Sequence, residues 1–268
     1  MSSVEYSVAD HVAHIRLNRA QALNALDPAA MRLLRETLSD ASSDDDVRVI
    51  VVTGTGPKAF CAGADLKNTA TGGEPYMAAA WEALERAAER GAYGRPLDIS
   101  SLQIAKPLIA SINGICVGGG LELALLCDLR ICADNASFGL PEVRVASIPG
   151  VCGVSQLLRC VPRAVAMKML FAGDRIDAAE ALRIGLVSDV WPAAELAART
   201  HALAESIAQN GPLAVKAVKR LAVDTEMLPT HLAHRMAEMS WGILRDSEDR
   251  QEGRIAFAEK RTPKFAGR

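Results

Sequence analysis

Val47–Thr53 (VRVIVVT) is almost continuously β-branched, with no polar residue at every second position to mark a wet face. A strand of this kind is stable only where both of its faces are covered, as in a parallel sheet packed on two sides. Leu108–Ile112 (LIASI) reads as a second buried strand, and Leu129–Ala133 (LRICA) is strand-like. Val4–Val8 and His11–Leu17 alternate around an Ala-Asp turn and read as two further strands. Between the strands lie helices. Asp27-Pro28 supplies an N-cap and a proline at the first helical position, and Met31, Leu34 and Leu38 follow at helical spacing. The Ala-rich stretch from Pro75 to about Arg90 is helical, and Gly91 can end it. Leu121–Cys127 forms a helix directly after Gly118-Gly119-Gly120.

Beyond Pro162 the pattern becomes mainly helical. Asp177 to Glu180 resembles a capping box, and amphipathic helices run from Ala193 to about Glu259. The expected fold class is therefore α/β, with a βα-repeating body over residues 1–200 and a helical segment over 201–268. The apolar positions of that segment (Leu221, Met227, Leu232, Met236, Met239, Trp241) have little core of their own to cover. They are expected to pack on the body and on other subunits.

Composition excludes several classes of function. Half of the 268 residues are hydrophobic, enough for a sizeable core. Thirty Lys and Arg against 32 Asp and Glu leave a net charge of −2, and 4% aromatic residues offer few stacking platforms, so no nucleic-acid partner is expected. The longest uncharged run, Pro107–Leu121, is shorter than the roughly 20 residues of a membrane span and holds four glycines, so no membrane association is expected. The amino-terminal stretch alternates like a strand and lacks the apolar core of a signal peptide. Cys61, Cys116, Cys127, Cys132, Cys152 and Cys160 show no CxxC pairing, and buried free thiols in a reducing cytoplasm are the expectation.

Four patterns could carry chemistry. Gly54-Thr-Gly-Pro-Lys-Ala59 follows a strand and mimics a dinucleotide fingerprint, but Phe60–Asp65 has no helical period and Glu74 follows no strand, so nucleotide binding of that type is rejected. The histidines (His11, His14, His201, His231, His234) provide no third ligand for zinc, and no metal site is expected. Cys61–Asp65 and Asn113–Gly120 are glycine-rich. Such segments either allow tight turns and close packing, or aim two free N–H groups at a carbonyl that becomes an enolate. Glu122 and Glu142 stand in the most apolar part of the chain. Two glutamates near one water can divide acid and base roles. Equally, Glu122 can simply favour a helix N-terminus and Glu142 can pair with Arg144.

Together these segments resemble the crotonase (enoyl-CoA hydratase/isomerase) family over nearly the whole length, from Leu17-Asn-Arg-Ala-Gln-Ala-Leu-Asn-Ala-Leu26 to Glu259-Lys260-Arg261. The strongest links are Lys58–Lys67 (KAFCAGADLK), Ala110–Ala124 (ASINGICVGGGLELA), and Phe138–Glu142 (FGLPE) followed by Ile148-Pro-Gly150. The resemblance implies a spiral of ββα turns with a carboxy-terminal helical trimerisation segment, assembled as a homotrimer or homohexamer. It implies an acyl-CoA substrate and reversible hydration of a 2-enoyl-CoA to a 3-hydroxyacyl-CoA, in fatty acid metabolism. No cofactor is implied beyond the coenzyme A of the substrate. Another reaction of the family, carnitinyl-CoA dehydration or enoyl-CoA isomerisation, is the alternative; Cys132–Phe138 (CADNASF) also resembles carnitinyl-CoA dehydratases. A non-catalytic CoA- or RNA-binding member is the third.

By position in the family motifs, the N–H groups of Ala64 and Gly119 would form the oxyanion hole. Glu122 and Glu142 would hold a water with help from the Gly150 N–H. Coenzyme A would lie along Ala22, Leu23, Ala62, Asp65, Leu66 and Lys67, with Trp241 near the adenine and Lys260 near the phosphates. Two departures stand out: Ala20 replaces the usual proline after Asn-Arg, and Val151-Cys152-Gly153 replaces the common Ala-Gly-Gly, placing Cys152 beside the water. Thr69 to Ser100, which covers the acyl end in relatives, carries no readable specificity.

Overall fold

The computed structural model describes residues 2–65 and 97–268. The expected Pro75–Arg90 helix and the coenzyme A positions Leu66 and Lys67 lie outside the described residues.

The first hairpin forms as the alternation requires. β1 (Val4–Ala9) and β2 (Val12–Leu17) pair antiparallel around Asp10 and His11, both left-handed. α1 (Pro28–Ser43) starts where expected: the Asp27 carboxylate accepts the Ala30 N–H at 2.8 Å and buries Met31, Leu34 and Leu38 on one side. β3 (Val49–Gly54) then runs parallel to β2, with Val12 opposite Val49. β5 (Leu108–Ile112), β7 (Leu129–Ala133) and β10 (Asp189–Trp191) extend the sheet, in the order β1-β2-β3-β5-β7-β10.

Strand periodicity divides this sheet between two cores. Ala13, Ile15, Leu17, Ile50, Val52, Ala110 and Ile112 point to one side, with α1 and a second sheet. Val12, Val49, Val51, Ile109 and Ile131 point to the other, where Ala204 and Ala208 of α6 (Leu196–Ala208) pack on them. Coverage on both faces explains the near-continuous apolar strands.

The second sheet was not legible in the sequence. It has four short strands in the order β4-β6-β8-β9: β4 (Ala59–Cys61), β6 (Ile115–Val117), β8 (Ser137–Gly139) and β9 (Ile176–Asp177). β3, β5 and β7 of the large sheet each lead through a corner into one of these, and after β6 the chain enters α2 (Gly119–Leu125). That strand–strand–helix turn repeats as a spiral. β4, β6 and β8 are mutually parallel, so their carboxy-terminal ends open on the same side.

α3 (Gly153–Cys160), α4 (Arg163–Ala172) and α5 (Ala178–Arg183) follow. Asp177 caps α5 by accepting the Glu180 N–H at 2.8 Å, but Glu180 does not reach back as in a full capping box; it pairs with Arg183 instead. α7 (Pro212–Thr225), α8 (Thr230–Arg245) and α9 (Glu248–Glu259) form the helical end. The division placed at residue 200 falls inside α6, which belongs with the body by its packing. α7 and α8 contain no buried residue, and Val218, Met239, Trp241 and Ile243 are exposed. The last residues are tied down by Asp249, whose carboxylate accepts the Ala266 and Gly267 N–H groups, and by Arg48, which donates to the Phe265 carbonyl.

Candidate active site

Three paired strands end side by side and each delivers part of one site. β4 runs into Ala62-Gly63-Ala64. β6 ends at Val117, opposite Gly139 of β8, and turns through Gly118 into α2. β8 runs through Leu140-Pro141 into a 3-10 turn over Glu142–Val145. Glu122 sits in the first turn of α2 and Glu142 opens the turn after β8, so the register of β6 and β8 brings the two carboxylates together. Ligands collect at such carboxy-terminal strand ends in parallel sheets.

Glu122 is 3% exposed. Its Oε1 accepts the N–H groups of Val151, Cys152 and Gly153 at 2.9, 2.9 and 2.8 Å, the amino-terminal entrance of α3. The positive end of that helix therefore faces a carboxylate oxygen. The Cys152 thiol donates to the Glu122 carbonyl at 3.4 Å. Oε2 takes no hydrogen bond from any described residue and remains for another partner.

Glu142 has a different environment. Burial, the largest effect, raises its pKa above the ordinary carboxylate value; its own backbone N–H opposes this and the nearby Glu122 charge adds to it. Its Oε2 is buried without a hydrogen-bond partner among the described residues. Its Oε1 lies 3.4 Å from where a Cβ on Gly118 would stand. Arg144, the alternative partner on sequence grounds, pairs with Asp174 and donates to the Ala172 carbonyl. The two carboxylates thus stand in unlike surroundings, Glu122 held by three N–H groups and Glu142 by burial beside it.

The two amides assigned by motif also meet. Gly63 is left-handed at φ +90°, and a Cβ there would stand 2.9 Å from the Gly119 nitrogen. A Cβ on Gly119 would lie 3.6 Å from the Ala64 nitrogen. Only glycine keeps this space open. Among the described residues neither the Ala64 nor the Gly119 N–H has an acceptor. Gly63→Ala is expected to lower turnover by about 10²-fold, because the added carbon moves a donor out of line; steady-state assays beside thermal melting check this.

The other expected positions fare differently. Gly150 is exposed and its N–H meets no described acceptor; the amides of Val151, Cys152 and Gly153, noted in the sequence only as a departure from the family pattern, are the ones that grip Glu122. The signal was a run of small residues entering a helix opposite an apolar glutamate. Ala22 and Leu23 lie on the loop beside the site, where the Ala62 N–H donates to the Leu23 carbonyl at 3.0 Å. Asp65 is buried and its carboxylate pairs with Arg19 at 2.8 Å, so its side chain faces the protein. Trp241 lines a separate cavity of 320 Å³ with Leu213, Leu244 and Phe265. Lys260 caps α9 in a left-handed conformation. Among the described residues, no hydrogen bond, ion pair or cavity joins either of them to the glutamates or the two amides. The four most buried thiols, Cys61, Cys116, Cys127 and Cys132, are free, and burial pushes Cys61 up to about 12. Among the described residues no group of His, Cys, Asp and Glu is arranged to hold a metal, and no helix is long and apolar enough to cross a membrane.

The family model described as Enoyl-CoA hydratase/isomerase matches residues 7–268. The chain belongs to this family, the crotonases. It is 46% identical over 264 residues to (E)-benzylidenesuccinyl-CoA hydratase of Thauera aromatica, covering 98% of this chain and 99% of that one. It is 38% identical to carnitinyl-CoA dehydratase of Proteus mirabilis, covering 99% of each. Among solved structures, enoyl-CoA hydratase from Bacillus anthracis superposes with a TM-score of 0.89 at 37% identity, covering 100% of both chains. The crotonase fold expected from the sequence is therefore the fold observed, and the family's enzymes include hydratases and dehydratases of CoA thioesters.

Proposed function

We propose that this crotonase catalyses the reversible addition of water to a 2-enoyl-CoA thioester, giving a 3-hydroxyacyl-CoA. The observation that carries the reading is the convergence of Glu122 and Glu142 beside two amides with no acceptor among the described residues. In this reaction the thioester oxygen accepts the N–H groups of Ala64 and Gly119, and a water lies between the glutamates. Glu122 Oε2 takes a proton from the water as its oxygen bonds to C3. The C2=C3 electrons move toward the thioester oxygen, and the amides stabilise the enolate. Glu142 then gives its proton to C2 as the enolate collapses. Proton transfer from Glu122 to Glu142 resets the pair. The reaction needs no cofactor beyond the coenzyme A of the substrate, which would run along the Ala22–Leu23 and Ala62–Asp65 loops. The uncovered faces of α7 and α8 support assembly with further copies of the chain, as a homotrimer or homohexamer.

Dehydration is the second reading, favoured by whole-length similarity to carnitinyl-CoA dehydratase. A panel containing crotonyl-, crotonobetainyl-, benzylidenesuccinyl- and carnitinyl-CoA, followed at the absorbance of the conjugated thioester, tests both. Hydration of at least one simple 2-enoyl-CoA is expected; turnover confined to carnitinyl-CoA supports the second reading instead.

The raised pKa of Glu142 sets the sign of the pH dependence. As donor to C2 it must enter protonated, so kcat/KM for hydration is expected to fall as pH rises through a midpoint above 4.5, its ordinary value. Stability moves the same way: between that ordinary value and the raised one the folded state binds the extra proton, so stability falls with rising pH, then levels off. A pH–rate profile that lacks this limb in Glu142→Gln checks the assignment.

A further inference from the structure

We propose that the Arg19–Asp65 ion pair is a positioning clamp for the Ala64 amide, and that Asp65 serves the reaction through the backbone and not by touching coenzyme A. This rests on the reading of Ala64 as an oxyanion donor. Arg19 Nη2 lies 2.8 Å from Asp65 Oδ2 and 3.2 Å from Asp27 Oδ2, and Nη1 donates to the Ala25 carbonyl. One guanidinium thus joins both ends of the Ala25–Asp27 segment to the residue next to Ala64. All three side chains are at most a quarter exposed, which shields the pair from solvent screening.

The backbone between these anchors is laced together. The Ala62 N–H donates to the Leu23 carbonyl, the Leu26 N–H to the Gly63 carbonyl at 2.8 Å, and the Asp65 N–H to the Leu26 carbonyl at 2.9 Å. The Gly63 N–H meets the Cys61 sulfur at 3.4 Å. Of the four amides over residues 62–65, three are committed to framing and only that of Ala64 has no acceptor among the described residues. The supporting loop is itself held under strain: Leu23 and Asn24 are left-handed, at φ 52° and 55°, fixed by Asn24, which accepts the Arg19 N–H and donates to the Ala59 carbonyl. Non-glycine residues keep such a conformation only where their surroundings over-determine it. Arg19 ties this loop to the donor loop, and its planar fork fits two carboxylates as lysine cannot.

Asp65→Asn leaves Arg19 paired with Asp27, so the fold is expected to persist. Three readouts on the full-length protein test the clamp: kcat and KM with crotonyl-CoA, affinity for free coenzyme A, and the absorbance of bound cinnamoyl-CoA. The last reports polarisation of the thioester carbonyl and hence donor alignment. The expected result is a kcat lower by about 10- to 100-fold, with KM and coenzyme A affinity unchanged, a smaller red shift of bound cinnamoyl-CoA than in the wild type, and an unchanged melting temperature. Arg19→Lys is expected to give the same pattern and serves if Asp65→Asn does not fold. A full red shift with unchanged kcat overturns the clamp, as does a raised KM and weaker coenzyme A binding at constant kcat, which marks a direct contact. No red shift in the wild-type protein overturns the parent reading of Ala64 and the clamp with it.

Discussion

Glu142→Gln is expected to slow hydration of crotonyl-CoA by about 10²–10⁴-fold while the melting temperature stays equal or rises. The two halves of this expectation come from one environment. Burial and the charge of Glu122 oppose ionisation of Glu142, and its inner oxygen has no donor to lose among the described residues. A neutral amide in such a place never has to ionise, so the folded state loses little by the exchange. The same substitution deletes the proton that C2 must receive. Loss of turnover with a preserved or raised melting temperature separates a chemical role from a structural one; unchanged turnover removes Glu142 from the mechanism.

Glu122 carries a structural load that Glu142 does not. A glutamine there retains an oxygen able to accept from Val151, Cys152 and Gly153, so Glu122→Gln should fold yet lose about 10²–10⁴ in turnover, through loss of the base. Glu122→Ala removes the acceptor altogether. Three N–H groups at the start of α3 then lose their partner, and a stability loss of about 2–4 kcal/mol is expected in chemical denaturation. The Glu122→Gln/Glu142→Gln double variant should lose less than the product of the single losses, since the pair manages one water as a unit.

Long-range order in the sequence was legible where side chains repeat. Val47–Thr53 announces a strand covered on both faces, and Asp27-Pro28 announces a helix start, because each pattern has a local physical cause. The small sheet had no such signature: three-residue strands such as Ala59–Cys61 and Ile115–Val117 sit among glycines, and three residues are too few to show a period. That sheet nevertheless places the site. The family motifs brought Glu122, Glu142, Ala64 and Gly119 into consideration, and the geometry brings them together. Motif position alone could not show how neighbouring groups are spent. Asp65 turns to Arg19, forty-six residues away, and Arg144 to Asp174 instead of Glu142. Trp241 and Lys260 sit on helices whose exposed faces are not explained by contacts within one chain.

The grip on Glu122 comes from a helix end, not from side chains. α3 is seated in the interior by Leu157, which is fully buried one turn from the Gly153 amide. Any change that tilts or slides this rod therefore re-aims the Glu122 carboxylate without altering that residue itself. Repacking at a distance thus offers a way to retune reactivity, and with it a route by which enzymes sharing one scaffold can drift toward different transformations.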